Sequence, residues 1–123
     1  MNENVYWGHH LVVNAGGCNI EALKDYDNIY NFAKNLVEDI DMVAYGEPQI
    51  VKFGHGDKEG YTLVQLIETS NICAHLVDEY REIYLDVFSC KLFDPKVVVE
   101  LVRKYFGATA IETEYMDRKA PSA

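Results

Sequence analysis

The sequence predicts an α/β (α+β) fold, a two-layer sandwich of mostly antiparallel sheet with two helices on one face. Three observations carry this prediction. Apolar residues recur at helical spacing in only two stretches, strand-like alternation fills most of the remainder, and the order is strand, helix, several strands, helix, strand. So few helices can cover only one sheet face, and a second subunit is the simplest cover for the other, so a homodimer is expected.

The elements follow in order. Val5 to Asn14 alternates loosely and runs into Ala15-Gly16-Gly17, a strand followed by a turn. Asn19 can cap a helix beginning at Ile20, whose stripe is Leu23, Tyr26, Tyr30, Ala33, Val37 and Ile40. Val43 to Phe53 reads as β structure interrupted by Gly46-Glu47-Pro48. Gly54 to Gly60 is a polar, glycine-rich loop, and Tyr61 to Glu68 is the clearest strand. Thr69-Ser70-Asn71 then breaks a β-rich segment with turn-prone residues. From Ile83 to Cys90 the alternation is clean: Ile83, Leu85 and Val87 point one way, Tyr84, Asp86, Phe88 and Cys90 the other. Asp94-Pro95 starts a second helix with the stripe Val98, Leu101, Val102 and Tyr105, and Gly107 closes it. Ala108 to Tyr115 is a final strand, and Asp117 to Ala123 a frayed tail.

The chain has 123 residues, 49% hydrophobic and 25% charged, the balance of one globular domain spanning 1–123 rather than of disorder or coiled coil. Its net charge of −9 repels phosphate backbones, which argues against nucleic acid and for a cationic or neutral ligand. No apolar run approaches the ~20 residues of a membrane helix, and Met1-Asn2-Glu3-Asn4 has no signal-peptide character, so no membrane association and a cytoplasmic location are expected.

Several motifs read as structural. Cys18, Cys73 and Cys90 are odd in number and widely spaced, which fits neither a disulfide framework nor a zinc site and suggests three buried thiols. The loop at 54–60 lacks phosphate-loop spacing and reads as a hairpin connection. His9 and His10 are adjacent on a strand, so they point to opposite faces and are not expected to share a metal. No metal site is expected.

Thr69-Ser70-Asn71 is different, because His75, Glu79 and Cys90 follow within about twenty residues and bring a base, an acid and a thiol near a serine. The stretch Ile67-Glu68-Thr69-Ser70-Asn71-Ile72-Cys73-Ala74-His75, followed by Asp86-Val87-Phe88-Ser89-Cys90, resembles the core of the small prokaryotic S-adenosylmethionine decarboxylases. The family pattern is Glu-Ser-His-x-[Ser/Thr]-x-His, then Asp-[Val/Leu]-Phe-[Thr/Ser]-Cys. Ser70 to His75 keeps the five-residue step, and His75 to Cys90 the fifteen-residue step. Gly8-His9-His10-Leu11 and Gly17-Cys18 resemble the family's opening, so the likeness covers nearly the whole chain. Thr69 stands where the family has Glu, Asn71 where it has His, and Val77-Asp78 where it has Trp-Pro.

The resemblance implies a proenzyme that cuts itself between Thr69 and Ser70. The Ser70 hydroxyl attacks the Thr69 carbonyl, the amide becomes an ester, and elimination leaves a dehydroalanine that hydrolyses to a pyruvoyl cofactor at position 70. The need for such a group is physical: losing carbon dioxide leaves a carbanion that no ordinary side chain can delocalise, and a ketone joined to the substrate amine can. By the same resemblance His75 is the proton-abstracting base of processing and Thr62 the hydroxyl that steadies its tetrahedral intermediate. Cys90 is the acid that returns a proton to the decarboxylated carbon. Glu79 holds the ribose hydroxyls. Phe53, with a longer loop after it, stacks on adenine and the sulfonium, an attraction that suits a cation. The implied function is decarboxylation of S-adenosylmethionine to supply aminopropyl groups for spermidine. Two alternatives stay open: a pyruvoyl decarboxylase of another amino acid such as ornithine or arginine, and an uncleaved, non-catalytic nucleoside-binding or partner protein.

Parity adds a structural condition. In an unbroken strand Ser70 and His75, an odd number apart, face opposite sides, so a bend is expected near Ser70-Asn71.

Overall fold

The structure, a computed structural model, describes residues 6–122. Six strands form one antiparallel sheet: β1 Gly8–Gly16, β2 Gln49–Phe53, β3 Gly60–Ile67, β4 Ser70–Val77, β5 Glu82–Ser89 and β6 Ala110–Arg118, in the spatial order β2-β3-β4-β5-β1-β6. Helices α1 Ile20–Leu23, α2 Tyr26–Asp39 and α3 Pro95–Phe106 cover one face, and a single 3-10 turn, Gly56–Lys58, lies in the β2–β3 loop.

The predicted fold class stands, and the differences are local. The helix expected to run on from Ile20 is two helices, because Asp25 turns its side chain to the N–H groups of Asp27 and Asn28 and starts a new one. The covering layer therefore has three helices rather than two. β1 reaches Gly16 because it is paired on both sides, by β5 and β6. The part of that strand assigned to Val5 lies outside the described residues. β6 continues to Arg118, so Asp117 and Arg118 belong to the sheet rather than to a frayed tail; the Trp7 N–H donates to the Arg118 carbonyl at 3.0 Å. The interruption at Gly46-Glu47-Pro48 is present: Ala44 makes an isolated bridge to Ile67, and regular pairing starts at Gln49.

The core lies between the helices and the covered sheet face. Leu11, Val13, Leu63, Ile72, Leu85 and Val87 meet Ile29, Phe32, Leu36, Val98, Val102 and Phe106, all buried. Each such large side chain contributes roughly 1.5–3 kcal/mol on leaving water. Phe32 and Phe106 pack edge to face with centroids 5.0 Å apart. Gly107 closes α3 in the left-handed conformation, φ 64°. Gly60 is needed for space: a Cβ there would lie 1.7 Å from the Leu76 carbonyl oxygen.

Among the described residues, the other sheet face carries no helix, and Val51, Phe53, Leu66 and Tyr84 are exposed on it. Among the described residues, no helix is long and apolar enough to cross a membrane.

Candidate active site

Ser70 opens β4 at the tip of the β3–β4 hairpin. Ile67 pairs with Ser70, so the connection is the two residues Glu68 and Thr69. Thr69 has φ 58°, and Ser70 is only 8% exposed. β4 then alternates without interruption to Val77. The expected bend at Ser70-Asn71 is therefore absent: β4 is paired continuously by β3 and β5, which keeps it straight, and the turn falls one step earlier. Ser70 faces the helix layer and His75 the open face.

Two groupings result. At the hairpin tip the Cys90 N–H donates to the Ser70 Oγ at 3.0 Å, and the Cys90 Sγ lies 2.7 Å from the Thr69 Oγ1. The Thr69 hydroxyl also donates to the Glu68 carbonyl at 2.6 Å. β5 positions Cys90: Asn71 pairs with Phe88, so the strand delivers the thiol beside the residue preceding Ser70. Toward the other end of the strands, Thr62 and His75 are cross-strand partners, with Thr62 Oγ1 3.3 Å from His75 Nδ1.

Phe53 and Glu79 belong to this second end. Phe53 is the last residue of β2, pairs with Gly60 and is 58% exposed. Glu79 is exposed in the β4–β5 turn, where Asp78 N–H donates to the Glu59 carbonyl at 3.0 Å. Tyr80 in the same turn donates to Asp57 at 3.2 Å and ties the 54–60 loop down. Thus the structure brings Thr69, Ser70 and Cys90 together and brings Thr62 to His75. It does not bring the two sets together: His75 is five residues from Ser70 along β4, about 16 Å at ~3.3 Å per residue.

The cysteines differ from the expected three buried thiols. Only Cys18 is buried; Cys73, on β4, and Cys90, just past the end of β5, are half-buried. Burial pushes the Cys18 thiol up to about 11, with the Glu82 charge adding to it. Cys73 is also raised, by burial and then by Asp86. His9 and His10 do face opposite ways. His9 is buried against Asp117 at 3.1 Å, whereas on the open face Arg118 donates to His10 Nδ1, leaving Nε2–H to donate to Asp86 at 3.1 Å.

Two neighbours of these residues carry no functional signal in the sequence. Tyr84 is the cross-strand partner of His75 on the open face and donates to Glu82 at 2.8 Å, a bond that raises its phenol. The alternation of β5 had put Tyr84 on that face, but only the register sets it opposite His75. Asp78 is buried in the turn with Lys52 Nζ at 3.4 Å, and Glu59 lies 3.6 Å from the same ammonium. Burial pulls the Lys52 ammonium down, but Asp78 and Glu59 together hold it above the usual lysine value.

Comparison with known proteins adds to this geometry. A sequence model of the family described as S-adenosylmethionine decarboxylase matches residues 9–119. An S-adenosylmethionine decarboxylase proenzyme of Clostridium botulinum (strain Hall) is 29% identical over 100 residues, covering 80% of this chain and 83% of the relative. A protein of the same name from Geobacillus kaustophilus is 25% identical over 111 residues, covering 90% of this chain and 86% of the relative. The crystal structure of the adenosylmethionine decarboxylase from Aquifex aeolicus VF5 superposes with a TM-score of 0.78 over 97% of this chain and 96% of that one, at 16% identity, a likeness of fold.

Proposed function

Because the chain belongs to the S-adenosylmethionine decarboxylase family, we propose that it cuts itself between Thr69 and Ser70 and then decarboxylates S-adenosylmethionine, supplying aminopropyl groups for spermidine. The observation that carries this reading is the meeting of Ser70, Thr69 and Cys90 at one hairpin tip. A cut there suits the fold. The ladder from Thr62–His75 to Ile67–Ser70 still ties both new ends into the sheet, so the chain can break without opening the core.

The position fits a pyruvoyl group derived from Ser70: it lies at a strand start, is largely shielded from water, and has the Cys90 N–H as a donor beside it. When present, that group supplies the electron sink for the carbanion left by carbon dioxide. The chain's own residues do the rest. Cys90 delivers a proton to the decarboxylated carbon. His75, steadied by the Thr62 hydroxyl, abstracts the proton that drives elimination during processing. Phe53 stacks on the adenine and sulfonium end of the substrate, and Glu79 accepts from the ribose hydroxyls. The net charge of −9 favours a cationic substrate.

These roles require two copies. Cys90 and His75 lie on the same face, about 20 Å apart at ~3.3 Å per residue, so one chain cannot gather both on a small molecule. A second copy laid on the open face by a two-fold axis would bring one protomer's Ser70–Cys90 end to the partner subunit's His75 and Thr62. The homodimer thus covers the exposed Val51, Leu66 and Tyr84 and completes the site.

The test is mass spectrometry of purified protein followed by release of carbon dioxide from S-adenosylmethionine, with ornithine and arginine as competitors. Two fragments and release from S-adenosylmethionine are expected. Release from ornithine or arginine instead would transfer the chemistry to another substrate, and an intact inert chain would leave only a binding protein.

A further inference from the structure

Glu68-Thr69 joins two strands whose register is fixed on both sides, and its second residue adopts a backbone that its side chain opposes. Among the described residues, the non-glycine residues with positive φ are Asp41 at 60°, Thr69 at 58° and Arg81 at 57°. Thr69 alone of these is β-branched, and it alone adjoins the proposed nucleophile. A two-residue turn with positive φ at its second position alone calls for glycine or asparagine there. In the left-handed conformation an L-residue's Cβ crowds its own carbonyl oxygen, at roughly 1–2 kcal/mol. For Thr69 that carbonyl is the one Ser70 would attack.

The surroundings hold this conformation in place. The ladder fixes Ile67 opposite Ser70, and both are buried. The Thr69 hydroxyl is engaged by the Glu68 carbonyl and the Cys90 thiol, and the Cys90 N–H holds Ser70 Oγ. Strain of this kind persists only where neighbouring structure over-determines it.

We propose that Thr69 is a positioning residue for self-cleavage, its left-handed backbone raising the energy of the intact Thr69–Ser70 peptide so that rearrangement to the ester is favoured. This rests on the cleavage reading given above. In the step it assists, the Ser70 Oγ–C bond to the Thr69 carbonyl forms, the Thr69–Ser70 C–N bond breaks, and the hydroxyl proton ends on the freed α-amine of residue 70. The step is an isomerisation, with no other reactant. Once the carbonyl is no longer tied to the β4 amide, it can rotate away from the Thr69 side chain.

Full-length chains made by cell-free synthesis are followed in time on denaturing gels, with hydroxylamine to trap the ester. Thr69→Asn and Thr69→Gly adopt positive φ at lower cost than threonine and are expected to cut about tenfold more slowly, equivalent to ~1.4 kcal/mol of lost assistance. Thr69→Val keeps the branched Cβ but lacks the hydroxyl and is expected to stay within about threefold of wild type. A second readout uses the uncleavable Ser70→Ala chain, in which adding Thr69→Asn should raise the denaturation midpoint. Equal cutting rates for Asn, Gly and Thr would overturn the proposal, as would a Val variant as slow as Gly, or no stabilisation by Asn. A wild-type chain that never cuts would instead sink the cleavage reading, while the Ser70→Ala comparison still decides whether Thr69 is strained.

Discussion

Co-expression of Ser70→Ala with His75→Ala chains should restore activity that neither variant has alone. Ser70 and His75 lie about 16 Å apart along the unbroken strand β4 at ~3.3 Å per residue, a gap no histidine rotamer closes. A site that uses both must draw them from two protomers. In a mixed dimer one of the two sites then receives the intact Ser70 of one chain and the intact His75 of the other, and the second site lacks both. Random pairing at equal expression gives about a quarter of wild-type activity, and mixed dimers isolated with two different affinity tags about half. The assay is carbon dioxide release per dimer, with gel analysis of which chain has been cut. The Ser70-bearing chain should mature only in the mixed sample. Mixed dimers no more active than either parent would refute assembly of the site across the two-fold.

Other expectations follow from single contacts. Ser70→Ala should abolish both cutting and turnover, as read on gels and by carbon dioxide release. Cys90→Ala should be cut but lose turnover by about 10²–10⁴-fold, the range for a positioned proton donor, in steady-state kinetics. His75→Ala should accumulate the ester, detected as hydroxylamine-dependent fragmentation. Lys52→Met leaves the buried Asp78 carboxylate without its ammonium and should destabilise the fold by about 2 kcal/mol in urea titration. Stability should also fall at alkaline pH. The folded state holds the Cys18 proton up to about 11, from the ordinary thiol value of 9.0, so this contribution is complete below pH 9 and lost as pH rises through 11. Denaturant titrations of wild type and Cys18→Ala should therefore diverge in pH slope over that window, by about 3 kcal/mol at most.

The layers of the fold were legible because the signals were local. The alternation of Ile83, Leu85 and Val87 against Tyr84, Asp86 and Phe88 matches the observed burial of β5, and Asp94-Pro95 caps α3 as read. Boundaries shifted where a local competitor or a pairing partner intervened. Asp25 restarts the helix after Leu23, and β1 holds Asp117 and Arg118 in the sheet. The sequence offers a set of candidate site residues but not their arrangement. Parity already set Ser70 and His75 on opposite faces, and a bend was the way to join them within one chain. The continuous pairing of β4 to both neighbours rules out that bend, so the separation remains. Contacts made by register, such as Tyr84 beside His75 or Cys90 beside Thr69, depend on strand order, which periodicity does not carry.

The most direct test is the mass of the purified protein under denaturing conditions. Two pieces should appear, one ending at Thr69 and the other starting at position 70 with a keto group that borohydride reduces and hydrazines trap. A single full-length mass, unchanged by either reagent, would contradict the account.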